Sequence, residues 1–239
     1  MSTSYTGSTH GAPFLLILLL TACAGTPERE GVTPLQAHMY AHFDRAGEVH
    51  DALVRGNLEG ARAGALWLAE HQENRRLPEG SDVMGALMKD QASRVGAASN
   101  LEEAASATAH MGRACGDCHR RNEVNPRFLV GTAPPAGTGS KAEMALHVWA
   151  SERMWEGLVG PEDYAWKAGA GALKEGWLHP SDLVANPRDA TRLREITQRV
   201  YSLGSEAEAC TDPGERADLY GKFLTTCIDC HRLTSAIIR

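Results

Sequence analysis

The sequence is poor in aromatic side chains, has no cluster of basic residues and contains no apolar run long enough to cross a membrane. Its 5 Trp, 5 Tyr and 4 Phe among 239 residues disfavour an all-β sandwich, because strands are rich in such side chains. The formal charge of −6 and the lack of a Lys- or Arg-rich segment argue against a nucleic-acid-binding surface. With 43% apolar and 23% charged residues, the composition is that of a globular protein of one or two domains.

The longest apolar run, residues 14–20, contains only Phe, Leu and Ile. A membrane-spanning helix needs about 20 residues, so this run suits the centre of a secretory signal. It is followed by two small residues and Cys23, an arrangement that resembles the bacterial lipoprotein signal. Residues 1–13 contain no Lys or Arg, which is unusual for such signals and leaves an ordinary cleaved signal as the alternative. We predict a lipoprotein signal peptide at 1–22, lipidation of Cys23, a tether at 23–32 and a periplasm-facing location at a membrane of the bacterial cell envelope.

Two segments of the chain repeat at an offset of 105 residues. Residues 39–54 and 144–159 both begin with Met-x-x-His and end with Leu-Val. Two later motifs are 112 residues apart, so the second copy carries about seven extra residues. A Gly- and Pro-rich stretch between the copies is typical of a linker. We therefore predict two domains, 33–123 and 140–239, joined by a linker at 124–139.

Each copy carries four signals for the start of a helix and no convincing strand alternation. Small polar residues, prolines and acidic residues occur there in the order typical of helix N-termini. The predicted starts are Thr33, Asn57, Ser81 and Asn100 in the first copy and Ser140, Gly160, Asn186 and Asp212 in the second. The predicted fold class is all-α, with two tandem four-helix bundles.

The strongest chemical signal is a pair of C-x-x-C-H motifs, residues 115–119 and 227–231. Two thiols about one helical turn apart can each bond one vinyl group of a porphyrin, and the next histidine then faces the iron. A zinc ion shared by both pairs leaves the histidines unexplained, a redox dithiol lacks its βαβ context, and a disulfide is strained at this spacing. We predict two haem c groups attached through Cys115, Cys118, Cys227 and Cys230, with His119 and His231 as proximal iron ligands.

The position of each motif near the end of its copy resembles the class II cytochromes c, the family of cytochrome c′ and cytochrome c556. Only eight residues follow His231, which leaves no room for a downstream methionine ligand. The resemblance covers about 33–123 and 140–235. It implies a four-helix bundle with haem on the last helix and a distal residue on the first. Where the family has a basic residue four positions after the proximal histidine, this chain has Glu123 and Ser235.

The first helix of each copy offers two candidates for the distal ligand. His42 and His147 occupy matching inward positions, three residues after Met39 and Met144. A buried imidazole needs a polar partner or a metal, whereas a methionine in a helical seam is ordinary core filler. We predict His42 and His147 as distal ligands, with Met39 and Met144 as the alternative; an open distal site is a third option.

The other histidines beyond the signal are predicted to be solvated or to cap helices. They are His38, His50, His71, His110 and His179. Cys210, which lies outside the motifs, is predicted to be a buried, small apolar side chain.

The predicted function is electron transfer by a two-haem c-type cytochrome with bis-histidine, low-spin iron, and an enzymatic role is not the favoured one. The alternatives are an NO- or CO-binding sensor or scavenger of the cytochrome c′ kind and a small haem peroxidase. Haem propionates would add to the negative charge, so the expected partners are redox proteins with basic docking patches. Lipid on Cys23 would hold the chain at a membrane, and no nucleic-acid partner is expected. Class II bundles often dimerise, so this chain could form a homodimer. Its two copies could instead make the same contact within one chain.

Overall fold

The predicted helix starts lead into eight helices in the structure of this protein, a computed structural model. It describes residues 31–71, 77–128, 131–135, 137–175 and 187–235. The helices are α1 Pro34–Val54, α2 Leu58–Glu70, α3 Asp82–Ala97, α4 Leu101–Arg121, α5 Ser140–Val159, α6 Asp163–Glu175, α7 Pro187–Ala209 and α8 Pro213–Ser235. The described residues contain no strand, so the all-α prediction is confirmed.

The amino-terminal predictions fall largely outside the described residues. The signal peptide at 1–22, Cys23 and nearly all of the tether lie there, as does His179. Among the described helices, none combines the length and hydropathy that crossing a bilayer requires.

Side-chain capping explains where several helices begin. The side-chain oxygens of three predicted caps each accept a backbone N–H at 2.9 Å: Asn57 from Gly60, Asn100 from Glu103 and Asp212 from Glu215. In the second copy, helix α5 begins at Ser140, as predicted. Helix α6 begins at Asp163 and not directly after Gly160, because the carboxylate of Glu162 accepts the N–H of Ala165 at 2.6 Å and so caps the helix later.

The helices preserve the internal repeat. Helices α2 and α6 have 13 residues each and begin 105 residues apart. Helix α7 has 23 residues where α3 has 16. The seven extra residues of the second copy therefore lie in α7. As a result α8 begins 112 residues after α4, its equivalent in the first copy.

Successive helices pack against each other within each half, and the two halves meet mainly along α4 and α8. These two helices run antiparallel, because Ser106 lies against Gly221 while His110, further along α4, contacts Asp218, which is earlier in α8. The His110 Nε2 to Asp218 Oδ1 distance is 3.0 Å. His110 thus joins the halves and is not simply solvated. All eight helices belong to one compact unit with a shared apolar core.

A buried cluster of hydrogen-bonded side chains around His50 of α1 also connects the two halves. The prediction that His50 is solvated is wrong, since it is only 4% exposed. Its Nε2 lies 2.7 Å from the hydroxyl of Tyr220 in α8 and 3.2 Å from Oγ of Ser151 in α5. The Tyr220 hydroxyl also donates to the Ser151 carbonyl oxygen at 2.9 Å. These partners, distant in sequence, let the protein bury an imidazole that would otherwise prefer water.

Candidate functional site

The second C-x-x-C-H motif lines a cavity together with residues of α5. Cys227, Cys230 and His231 of α8 form one side, and Met144 and His147 of α5 also line the cavity. Much of the remaining wall is apolar, from Val54, Val148, Ile196 and Val200. His147 is only 7% exposed. The predicted attachment cysteines, proximal histidine and both distal candidates of the second copy therefore share one cavity.

A backbone carbonyl fixes the ring of His231. Its Nδ1 lies 2.6 Å from the carbonyl oxygen of Val54, the last residue of α1. A carbonyl oxygen can only accept, so Nδ1 carries the proton and the neutral ring has its lone pair on Nε2. Metal-binding histidines are commonly oriented by such a bond from the second ring nitrogen. His231 is therefore held in a tautomer that can bind a metal through Nε2.

The proximal candidate of the first copy has the equivalent bond. Nδ1 of His119 donates to the carbonyl oxygen of Val159, the last residue of α5, at 2.8 Å. Burial lowers the pKa of His119, and the bond to Val159 opposes this effect. The carbonyls at the end of a helix have no partner within that helix, so each histidine satisfies one of them. The two bonds are crossed, because the histidine of each copy is held by the first helix of the other.

Gly116, inside the first motif, allows α5 to approach this closely. A Cβ at Gly116 would clash with the carbonyl oxygen of Leu158. The equivalent position of the second motif is Ile228, which is buried. A residue without a side chain is thus required only in the first motif.

The thiols of Cys115, Cys227 and Cys230 have raised pKa values, and the four motif thiols form no common metal site. Burial, reinforced by the second thiol of each pair, raises the pKa of Cys115 and Cys227 to about 12. Burial also raises the pKa of Cys230, to about 11. A redox dithiol instead needs a lowered thiol pKa. The described cysteines form no disulfide, and the four motif thiols do not gather into one group able to hold an ion. The raised pKa of these thiols disfavours a redox dithiol.

In the first copy, His42 lies in a group of three histidines. The ring centroids of His42 and His38, one turn earlier on α1, are 4.1 Å apart, and that of His71 is 5.4 Å from His42. The indole of Trp67 stacks on His71 with a centroid distance of 4.2 Å. Burial, followed by the charges of His38, His71 and Lys89, lowers the pKa of His42 to about 4. The buried Nε2 of His42 has no hydrogen-bond partner among the described residues.

The sequence did not reveal this grouping. His71 does end α2 as a cap, as predicted, and its N–H donates to the Trp67 carbonyl oxygen at 2.9 Å. However, His38 and His71 are half-buried and pack on His42, so neither is simply solvated. The spacing of His38 and His42, four residues apart in one helix, was the available signal. Cys210 is buried, as predicted.

No protein-family model, curated protein or solved structure matches this chain significantly, so its function rests on the residues described above.

Proposed function

We propose that this chain is a two-haem c-type cytochrome of the bacterial cell envelope that transfers electrons between redox proteins. The observation that carries the proposal is the cavity of the second copy, where the C-x-x-C-H motif and His147 meet. The two copies would form tandem four-helix bundles of the class II cytochrome c kind, each with haem on its last helix.

The residues present fit covalent haem. Cys227 and Cys230 would carry the thioether bonds of the second haem, and Cys115 and Cys118 those of the first. None of the four cysteines is in a disulfide, and much of the cavity wall beside the second pair is apolar, as a porphyrin ring requires. When bound, haem supplies an iron that gains and loses one electron.

The rings of the two proposed proximal histidines are already oriented by hydrogen bonds within the protein. His119 and His231 each donate their Nδ1 proton to a backbone carbonyl, which fixes the ring and makes Nε2 the available ligand atom. A hydrogen bond at Nδ1 also raises the basicity of the ligand. Both rings are bound in the same way, which supports equivalent roles in the two copies.

On the distal side, His147 is the favoured ligand of the second haem, with Met144 as its alternative. His147 is only 7% exposed, lines the cavity beside the motif and has its counterpart in His42 of the first copy, whereas a methionine in a helical seam is ordinary core filler. His42 is the matching ligand of the first haem, with Met39 as its alternative. Iron bound by two histidines needs little rearrangement on electron transfer, which suits a carrier.

The location and partners follow from the sequence. Lipid on Cys23 would hold the chain at the periplasmic face of a membrane. The negative charge of the chain and of the haem propionates favours redox partners with basic docking patches.

The test is to express the full chain in a bacterial host that attaches c-type haem and to measure its mass after denaturation. We expect two covalent haems per chain. The double variant Cys227→Ala/Cys230→Ala should lose one of them, whereas the control Cys210→Ala should keep both. A chain that carries no haem, or one whose haem is released by denaturation, would overturn the proposal. Electron paramagnetic resonance of the oxidised protein then reports the iron ligands: two low-spin signals are expected, and two high-spin signals would refute electron transfer by bis-histidine iron.

A further inference from the structure

Three histidines come together in the first copy only. His38 and His42 lie one helical turn apart on α1, and His71 ends α2 beside them. At an offset of 105 residues, the equivalents of His38 and His71 in the second copy are Glu143 and Gly176. The group is therefore not a consequence of the repeat that produced the two motifs.

The geometry is close to that of a metal site. One ring nitrogen from each histidine lies within 4.8 Å of the other two. Zinc–nitrogen bonds of 2.0–2.1 Å place tetrahedral ligand atoms roughly 3.4 Å apart, so about an ångström of side-chain rotation closes the site. No other group of three His, Cys, Asp or Glu residues in the described part of the chain is gathered this tightly.

The surroundings hold the rings in place. Trp67 stacks on His71 and contacts the edge of His42, with centroid distances of 4.2 and 5.6 Å. The guanidinium of Arg45 in turn lies over the Trp67 ring, 5.4 Å from its centroid. Fixed side chains lose little freedom when an ion binds, which favours affinity.

The chemistry of the group also points to a cation of a particular class. The group offers three imidazole rings whose nitrogens are gathered in one place, and imidazole nitrogen is a common metal ligand. Its buried Nε2 lacks a hydrogen-bond partner among the described residues, a cost that a bound ion would remove. Imidazole ligands suit Zn²⁺, Cu²⁺ and Ni²⁺ better than they suit Mg²⁺ or Ca²⁺.

We propose that His38, His42 and His71 bind one divalent transition-metal ion of the Zn²⁺ and Cu²⁺ class. Three protein ligands leave a coordination position for water or an external ligand. One further consequence rests on the proposed function: the ion competes with the haem iron of the first copy for His42. Metal binding would then release the distal ligand of the first haem and leave that of the second in place.

The site is tested with the full-length protein as purified, dialysed to equilibrium against Zn²⁺, with bound zinc measured by mass spectrometry. We expect one Zn²⁺ per chain. His38→Ala and His71→Ala should each weaken binding by about tenfold or more. His110→Ala, which removes a histidine outside the group, is the matched control and should bind as the wild type does. Binding that is unchanged in both His38→Ala and His71→Ala, or no binding in the wild type, would overturn the site.

The competition is tested on the same samples by electron paramagnetic resonance. Zn²⁺ should convert one of the two low-spin haem signals to high spin in the wild type and in His110→Ala, and should have no such effect in His71→Ala. Unchanged haem signals with Zn²⁺ bound would refute the competition and leave the metal site standing. A chain that binds Zn²⁺ but carries no haem would refute the proposed function alone.

Discussion

Nδ1 of His231, near the end of the chain, donates to the carbonyl oxygen of Val54, at the end of α1, across 2.6 Å. The equivalent bond from His119 to Val159 runs in the opposite sense between the copies. Each of the two histidines proposed as proximal ligands is thus oriented by the copy that does not contain it. Changes at the junction of the halves should therefore affect both stability and the proposed haem sites.

Gly116 lies at this junction, against the end of α5. Gly116→Ala should push the end of α5 away, because the new Cβ meets the carbonyl oxygen of Leu158. We expect a loss of about 1–3 kcal/mol in the free energy of unfolding, measured in urea. Gly47→Ala is the matched control: Gly47 lies within α1 with open space around it, so alanine should be neutral or stabilise by up to about 1 kcal/mol. Equal effects of the two changes would show that the close approach is unimportant.

The hydroxyl of Tyr220 joins three helices from both halves. Tyr220→Phe removes it and leaves His50 Nε2 and the Ser151 carbonyl oxygen short of a partner in a buried place. The expected cost is about 1–3 kcal/mol in the free energy of unfolding, measured by thermal or urea denaturation. Tyr164→Phe serves as the control, since Tyr164 is 74% exposed and should change stability by less than about 0.5 kcal/mol. A neutral Tyr220→Phe would mean that the polar group does not hold the halves together.

Glu156 should make stability depend on pH. Burial raises its pKa to about 7, although Arg153, 2.7 Å away, opposes the shift. The folded chain therefore keeps a proton on Glu156 that the unfolded chain releases near pH 4.5. The contribution of this proton to the free energy of unfolding is fully present below pH 4.5 and is lost as pH rises through about 7.

The measurement is the free energy of unfolding of Glu156→Gln and of the wild type between pH 4.5 and pH 8. In the wild type, the Glu156 contribution to the free energy of unfolding should decline by about 1–3 kcal/mol across this range. Glu156→Gln should not show this decline. Glu59→Gln, which changes an exposed partner of Arg62, should keep the wild-type profile. Parallel curves for wild type and Glu156→Gln would contradict the assignment.

In the proposed cytochrome, the distal ligand would set the potential of the second haem. His147→Met should raise the reduction potential of one of the two haems, because methionine ligation favours ferrous iron. A redox titration followed in the visible spectrum separates the two haems, and the potential of the other haem should stay near its wild-type value. Met144→Leu is the control and should leave both potentials near their wild-type values. If Met144→Leu and not His147→Met changes the spectrum, methionine is the ligand.

The sequence predicted those parts of the fold that depend on local chemistry. Asn57, Asn100 and Asp212 act as predicted because a cap bonds to an N–H only three residues away. The inward position of His147 followed from helical periodicity in the same way. His50 was assigned wrongly because its partners, Ser151 and Tyr220, lie 101 and 170 residues away.

The crossed bonds had no sequence signal at all. Val54 and Val159 act through backbone carbonyl oxygens, which every residue has, so their side chains gave no indication of the role. The tight group around His42 likewise depends on how α1 meets the end of α2. Both features follow from tertiary packing, which periodicity and capping do not determine.

The bond between His231 and Val54 also constrains the order of folding, since it spans 177 residues. During synthesis α1 emerges before the other described helices and α8 after them, so the end of α1 stays without this partner until α8 is made. Contacts between residues so far apart in sequence form late and slowly, because the intervening chain must first lose conformational entropy. The amino-terminal copy therefore cannot complete its packing alone, and a chain truncated before α8 would expose the surfaces of α1 and α4 that α8 covers.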